Sequence, residues 1–169
     1  MNTDALKFQS LPLNNTKAWI AIGSFIVANI LFPQLFHQIH LGGVTWLPIY
    51  FFTLVGAYRY GWKVGLVTAL LSPLVNSMLF GMPTVASLPA ITLKSALLAG
   101  AAGYAAHRFH KVSILILAGV VLAYQMIGTL GEWIICGDFI DACQDFRIGI
   151  PGMLLQIFGG WAVIRLIRK

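Results

Sequence analysis

Six long runs of apolar residues follow one another along the chain, and short segments with Gly, Pro, His or charge separate them. The runs cover residues 18–37, 45–58, 63–80, 86–106, 112–135 and 148–166. Runs of this length match helices that cross a bilayer core, and they lack the alternating pattern of membrane strands. The pattern predicts an all-α integral membrane protein: one domain, 1–169, of six transmembrane helices in a compact bundle.

The second run is short and contains Pro48. A proline inside a helix removes a backbone hydrogen bond and clashes with the preceding turn. We therefore expect a kink or a broken first turn here, where neighbouring helices or water satisfy the released backbone groups.

The composition agrees with a protein whose main partner is the lipid bilayer. Of 169 residues, 59% are hydrophobic and 9% are charged, and 11 Lys and Arg against 5 Asp and Glu give a net charge of +6. The cations are scattered between apolar runs, so they indicate topology and not nucleic-acid binding. The N-terminus lacks the apolar stretch and cleavage site of a removable signal peptide.

Positive charge concentrates at alternate ends of the runs. The cations on one predicted side are Lys7, Lys17, Arg59, Lys63, Arg108, Lys111, Arg165, Arg168 and Lys169. The opposite loops hold Arg147, and the last of them, 137–147, carries Asp138, Asp141 and Asp145. Since excess Lys and Arg mark the cytoplasmic side, we predict cytoplasmic N- and C-termini in a bacterial cytoplasmic (inner) membrane.

Two charged residues fall inside apolar runs, Lys94 in the fourth and Glu132 in the fifth. A charge at mid-helix costs about 2.5–3.5 kcal/mol on insertion scales, so it needs a partner or a use. Counted at ~1.5 Å per residue from the outer helix ends, the two lie at similar depth. They form either a structural ion pair near the interface or a pair that faces a ligand.

Uncharged polar residues accumulate in the outer half of the same helices. Asn76 lies near the outer end of the third run, Gln156 lies near the middle of the sixth, and Tyr124 shares a face of the fifth with Glu132. Convergent polar groups favour a pocket open to the outside, capped by the Gly- and Pro-rich outer loops. The candidate substrate-binding residues are Asn76, Lys94, Glu132, Gln156, Tyr124, Gln125, His40, Trp46 and Tyr50.

The chain offers little chemistry beyond binding. His37 and His40, three residues apart without a nearby carboxylate, are a weak ligand set, so we predict no metal site. The GxxxxGK[ST], GxSxG, HExxH and GxGxxG patterns are missing, and no nucleophile and base occur at matched depth. We predict that the protein is not an enzyme, has no cofactor, and needs an energy source elsewhere for active transport.

Cys136 and Cys143 fall at the outer end of the fifth run and in the loop after it. In an oxidising compartment a disulfide between them is the default expectation. The alternative is a free thiolate that ligates a cobalt-containing substrate. The aspartates around them lack the spacing of a calcium loop and are typical of a solvated turn.

Small residues recur at four-residue spacing on two runs. They are Ser95, Ala99 and Gly103 on the fourth run and Ser24 and Ala28 on the first. Such stripes permit close helix contact in lipid. The contact is either internal packing or an interface with another subunit, and in the second case these are the candidate partner-binding residues.

Residues 47–83, LPIYFFTLVGAYRYGWKVGLVTALLSPLVNSMLFGMP, join a short aromatic-rich helix to a Gly-containing helix that ends at an outer loop. In this stretch and in its layout the chain resembles the substrate-binding (S) components of energy-coupling factor (ECF) transporters. The resemblance implies high-affinity capture of a water-soluble vitamin or related micronutrient. It also implies a transmembrane scaffold protein and a pair of cytoplasmic ATPases as partners. Cobalamin, thiamine-like and queuosine-like compounds stay open as substrates.

The alternative is a protein of another functional class with a similar length and the same number of spans. Small membrane scaffold proteins of the cell-shape machinery bind partners and need no ligand pocket. In that case Lys94 and Glu132 are structural, and replacing either lowers stability without affecting uptake. The two classes differ in whether the polar residues of the outer half line a cavity.

Overall fold

The computed structural model describes residues 10–38 and 40–167, apart from the side chain of His37. In this part of the chain every regular element is helical, which confirms the all-α class. The elements are α1 (Thr16–His37), α2 (Gly42–Trp46), a 3-10 turn (Pro48–Tyr50), α3 (Phe51–Tyr60), α4 (Trp62–Phe80), α5 (Leu88–Phe109), α6 (Ile114–Cys136), α7 (Phe139–Ala142), α8 (Gln144–Arg147), α9 (Ile150–Leu154), a π-helical turn (Leu155–Gly159) and α10 (Gly160–Leu166). Lys7, Arg168 and Lys169, used in the topology prediction, lie outside the described residues.

The helices follow the apolar runs closely. Helices α1, α4, α5 and α6 occupy the first, third, fourth and fifth runs, and their ends lie within a few residues of the predicted ones. Three of them, α1, α4 and α6, are long and apolar enough to cross a membrane. The sixth run is taken up by α9, the π-helical turn and α10 in direct succession.

The second run breaks at the predicted place. The residue before a proline disfavours the α conformation, so α2 ends at Trp46 and Leu47 adopts a left-handed backbone with φ of 46°. Pro48 then opens the 3-10 turn that leads into α3. The broken first turn predicted from Pro48 is confirmed.

Helix α3 lies at the centre of the bundle and packs against α1, α4, α5 and α10. Its side chains Leu54, Val55 and Tyr58 are fully buried. The Tyr58 hydroxyl donates a hydrogen bond of 2.6 Å to the carbonyl oxygen of Lys111. This bond ties the α3–α4 turn to the α5–α6 turn, so both turns, with their Arg and Lys residues, lie at the same end of the bundle.

A hydrogen-bond cluster connects α1, α3 and α4 in the bundle interior. Asn29 is fully buried, and its Nδ2 donates to the Thr53 hydroxyl at 3.1 Å and to the Ser72 hydroxyl at 3.2 Å. Its Oδ1 accepts the backbone N–H of Phe52 at 3.1 Å. Satisfied polar networks of this kind fix the relative position of helices in an apolar interior.

The small-residue stripe of α5 is used inside the protein. Ser95 and Ala99 are fully buried, and a Cβ added to Gly103 would lie 2.4 Å from the Cβ and 2.7 Å from the Cα of Trp62. The beginning of α4 therefore approaches the α5 backbone where only glycine fits. The interface interpretation of Ser95, Ala99 and Gly103 is wrong, because internal packing occupies this face.

Helices α1, α4 and α6 present apolar side chains outward, as helices in contact with lipid do. Exposed residues of these faces include Ile20, Val27, Leu31 and Leu35 on α1, Leu74, Met78 and Leu79 on α4, and Leu115, Met126, Leu130 and Ile134 on α6. On α1, Ser24 is exposed and Ala28 is half-buried. A partner contact at Ser24 and Ala28 stays a prediction.

Replacing Gly103 by alanine tests the close approach of α4 and α5. Gly103→Ala should destabilise the protein by about 1–3 kcal/mol, since overpacking costs this much. Gly100→Ala on the same helix is the control, because nothing lies within 4 Å of its added Cβ and alanine favours a helix over glycine by ~1 kcal/mol. Thermal unfolding in detergent measures both. Equal melting temperatures for the two variants would contradict the packing.

Candidate functional site

A cavity of about 280 Å³ lies at the end of the bundle opposite the Tyr58–Lys111 bond. Its walls come from the ends of α1, α4 and α6, the beginning of α5, the chain from α2 to the 3-10 turn, the loop before α5, and α8. Both Gly- and Pro-rich loops contribute, through Gly43 of one and Pro83 of the other. This volume is close to the lower end of small-molecule sites, about 300 Å³.

Three charged side chains meet in the cavity wall. Lys94 forms an ion pair with Glu132 and a second one, at 2.8 Å from Nζ to Oδ2, with Asp145. The Lys94 side chain is 3% exposed, that of Asp145 12% and that of Glu132 21%. The pairing of Lys94 with Glu132 expected from their depth is confirmed, and Asp145 is a third member that the sequence analysis did not include. We call these three residues the charged triad.

Helix α6 positions the triad through two residues on one face. A Cβ added to Gly128 would lie 2.6 Å from Lys94 Cγ, so this glycine makes room for the aliphatic stem of the lysine. Glu132, four residues further along the same face, then meets the ammonium group. Two adjacent turns of α6 therefore contact Lys94: Gly128 lies against its aliphatic stem, and Glu132 pairs with its ammonium group.

The segment after α6 brings Asp145 inward. Gly137 ends α6 with a left-handed φ of 75°. The Asp138 carboxylate then caps α7 by accepting the N–H of Ile140 at 2.7 Å and that of Asp141 at 3.2 Å. Two short helices follow, and the second carries Asp145 to the cavity.

The description of these aspartates as a solvated turn is right for two of them and wrong for the third. Asp138 and Asp141 are exposed, whereas Asp145 is buried. A signal was present in the sequence: Ala142, Asp145 and Gly149 share a helical spacing, and all three are buried. This spacing indicates that one face of the segment packs against the protein interior. Asp138 and Asp141 do not belong to this face.

Two more of the predicted residues line the cavity. Tyr50, from the 3-10 turn, and Asn76, near the end of α4, both contribute to its wall, and each is almost fully buried. With Lys94 and Glu132 they make four of the nine candidates. The polar residues at this end of the helices thus line a cavity.

Three polar candidates lie elsewhere in the buried interior and do not line the cavity. The Tyr124 hydroxyl donates a hydrogen bond of 2.9 Å to Gln156 Oε1, whereas the buried Gln156 Nε2 has no hydrogen-bond partner among the described residues. The ring centroids of Tyr124 and Tyr50 are 5.7 Å apart, which connects this layer to the cavity wall. Gln125 is fully buried, and neither of its amide atoms has a hydrogen-bond partner among the described residues. The residues that line the cavity do not include Tyr124, Gln125 and Gln156. Their contact with substrate stays a prediction.

Trp46 and His40 also lie away from the cavity wall. The Trp46 ring packs on Phe36 with centroids 5.5 Å apart, and a Cβ added to Gly152 would lie 2.5 Å from the Trp46 carbonyl. Trp46 is therefore held in the packing between α1, α2 and α9. His40 is exposed in the turn after α1. Neither residue is among those that line the cavity, and substrate contact by Trp46 and His40 stays a prediction.

Cys136 and Cys143 are both free cysteines in the structure. Cys136 is exposed at the last turn of α6, and Cys143 is half-buried between α7 and α8. The chain between them forms a capped helical turn, so the predicted disulfide is not formed. Neither cysteine is among the described cavity-lining residues, and a thiolate ligand to the substrate has no support there.

No protein-family model, no curated protein and no solved structure matches the chain. The cavity itself combines apolar walls with a few fixed polar and charged groups, which is the make-up of small-molecule binding sites. Its arrangement suits reversible, non-covalent binding.

Removing members of the charged triad one at a time tests its energetics. Lys94→Met leaves two carboxylates without their cation and should destabilise by about 3–5 kcal/mol, the range for breaking a buried pair. Glu132→Gln should cost less, because Lys94 keeps Asp145. Adding Asp145→Asn to Lys94→Met should restore part of the loss. Thermal unfolding in detergent measures all three, and equal losses for Lys94→Met and Glu132→Gln would contradict the central position of Lys94 between the two carboxylates.

Proposed function

We propose that this chain is the substrate-binding subunit of an ECF-type importer, which captures a water-soluble vitamin or related micronutrient at the outer face for ATP-driven uptake. The observation that carries the proposal is the cavity, which is lined by the charged triad, Tyr50 and Asn76. A scaffold protein has no use for such a cavity. A binding subunit needs one of this size and mixed polarity.

The proposal includes a six-span topology in the bacterial inner membrane with both termini cytoplasmic. Helices α1, α4 and α6 have the length and apolar character of spans, and α3, α5 and the α9–α10 segment complete the set. The basic turns joined by the Tyr58–Lys111 bond supply the positive charge expected at the cytoplasmic side. The cavity then opens on the outer side, where a scarce nutrient is captured.

The cavity narrows the choice of substrate. A volume of about 280 Å³ suits a compound of the size of thiamine or of the queuosine base. It is too small to enclose cobalamin. The substrate is bound and released without chemical change, because the cavity groups serve to hold and orient it.

A transmembrane scaffold protein and two cytoplasmic ATPases are the proposed partners, and they supply the energy for release inward. On α1, the exposed Ser24 beside the half-buried Ala28 gives a place where a partner helix approaches closely. Gly23 widens this place, since nothing lies within 4 Å of its added Cβ. We assign the partner contact to this face, because the small residues of α5 are buried.

Thermal-shift measurements on the detergent-solubilised protein test the proposal. The panel is thiamine, queuine, pyridoxamine, pyridoxine, riboflavin, pantothenate and biotin. A compound that binds only the folded protein stabilises it by about 2.7 kcal/mol at 100 times its Kd. We expect at least one compound to raise the melting temperature of the wild type.

A matched pair of variants locates the binding. Thr84 lines the cavity, so Thr84→Trp should block it and abolish the gain. Val85, the next residue, is 82% exposed, and Val85→Trp should keep the gain. If no compound stabilises the folded wild type, the cell-shape scaffold function is favoured instead. If Thr84→Trp responds as the wild type does, the binding lies outside the cavity.

A further inference from the structure

We propose that the substrate carries a single positive charge, an ammonium group or a cationic heteroaromatic ring, which forms an ion pair with Glu132. This inference rests on the proposed function and specifies the chemical class of its substrate. It follows from the sign of the charge in the cavity wall, from the unequal burial of the two carboxylates, and from the distribution of charge over the protein.

The cavity wall has an excess of negative charge. Among the residues that the structure describes, the charged ones that line it are Lys94, Glu132 and Asp145. One ammonium group and two carboxylates leave a net charge of −1. In a partly buried site this charge is weakly screened, so a monovalent cation is attracted and an anion is repelled.

Of the two carboxylates paired with Lys94, that of Glu132 is the more accessible. Lys94 and Asp145 are held together at 2.8 Å, and their side chains are 3% and 12% exposed. Glu132 is the most exposed member, at 21%, and it reaches the ammonium group from α6. A ligand cation therefore reaches Glu132 first, while the Lys94–Asp145 pair remains intact.

Lys94 is a poor site for an anionic ligand. Its ammonium group already contacts two carboxylates, and an incoming anion would have to displace one of them. The displaced carboxylate would then be left without a cation in a partly buried position, which is costly. The lysine acts on the substrate by fixing the two carboxylates.

The charge of the whole protein supports the same sign at the cavity. Four of the five acidic residues, Glu132, Asp138, Asp141 and Asp145, belong to the segment that ends α6 and borders the cavity. Arg147 lies in the same segment and leaves it a net charge of −3, whereas the turns joined by the Tyr58–Lys111 bond, at the other end, and the helix ends beside them carry Arg59, Lys63, Arg108 and Lys111. A cation approaching from the cavity side is therefore attracted over a distance, as clefts of one charge sign attract their ligands.

Tyr50 adds a second group that favours a cation. Its ring is held by the ring of Tyr124, with centroids 5.7 Å apart, and it lines the cavity together with Glu132. The face of a tyrosine ring attracts a cation within about 6 Å. Tyr50 thus places an aromatic ring beside a carboxylate in the cavity wall, a combination that suits a flat cationic ring or an ammonium group.

Three probes on one ring system test the charge preference: pyridoxamine, a cation at neutral pH, pyridoxine, which is neutral overall, and 4-pyridoxate, an anion. Thiamine and queuine serve as further cations, and biotin and pantothenate as further anions. We expect the stabilising compounds to be cations, with pyridoxamine binding about tenfold or more tightly than pyridoxine. Glu132→Gln should weaken cation binding by about tenfold or more.

Asp138→Asn is the matched control, since it removes one negative charge from the exposed rim and asparagine caps a helix as well as aspartate. It should leave cation binding within about twofold of the wild type, because exposed charges contribute little.

Stabilisation by a neutral or anionic probe, lost in Thr84→Trp, would overturn the charge assignment and leave the proposed function standing. If no probe stabilises the folded protein, both fail. Equal effects of Glu132→Gln and Asp138→Asn would contradict the role of Glu132.

Discussion

The end of the bundle that holds the cavity depends on one buried lysine. The Lys94 side chain is 3% exposed on a helix that packs among apolar neighbours, where an ammonium group without a partner would cost several kcal/mol. Glu132 supplies one carboxylate from α6, and Asp145 supplies the second from the segment after it. The requirement to satisfy Lys94 thus helps to hold α5, α6 and α8 around a common point, and that point forms part of the cavity wall.

The rest of the bundle provides a rigid frame for this point. The Asn29 cluster fixes α1 against α3 and α4, and the close approach at Gly103 fixes α4 against α5. Closely packed interiors of this kind deform little. The frame therefore holds α5, with Lys94, in a fixed relation to α1, α3 and α4.

The sequence predicted those features that depend on local pattern. Apolar runs located the long helices, Pro48 located the break before α3, and the fixed rise of a helix placed Lys94 beside Glu132. The role of Asp145 could not be obtained in this way, because it depends on how residues 137–149 fold back onto α5. The same holds for Tyr124, which shares a face of α6 with Glu132 but lies outside the cavity and bonds to Gln156.

Native mass spectrometry of the protein, released gently from cells grown in rich medium, tests the central claim that the cavity around the charged triad binds a small cationic molecule. The account predicts a small-molecule adduct on the wild type that carries a positive charge once released, and its loss or marked reduction in Glu132→Gln. A folded wild type with the bare chain mass would contradict the account. An adduct that Glu132→Gln retains in full would contradict it as well, because the ligand would then be held elsewhere.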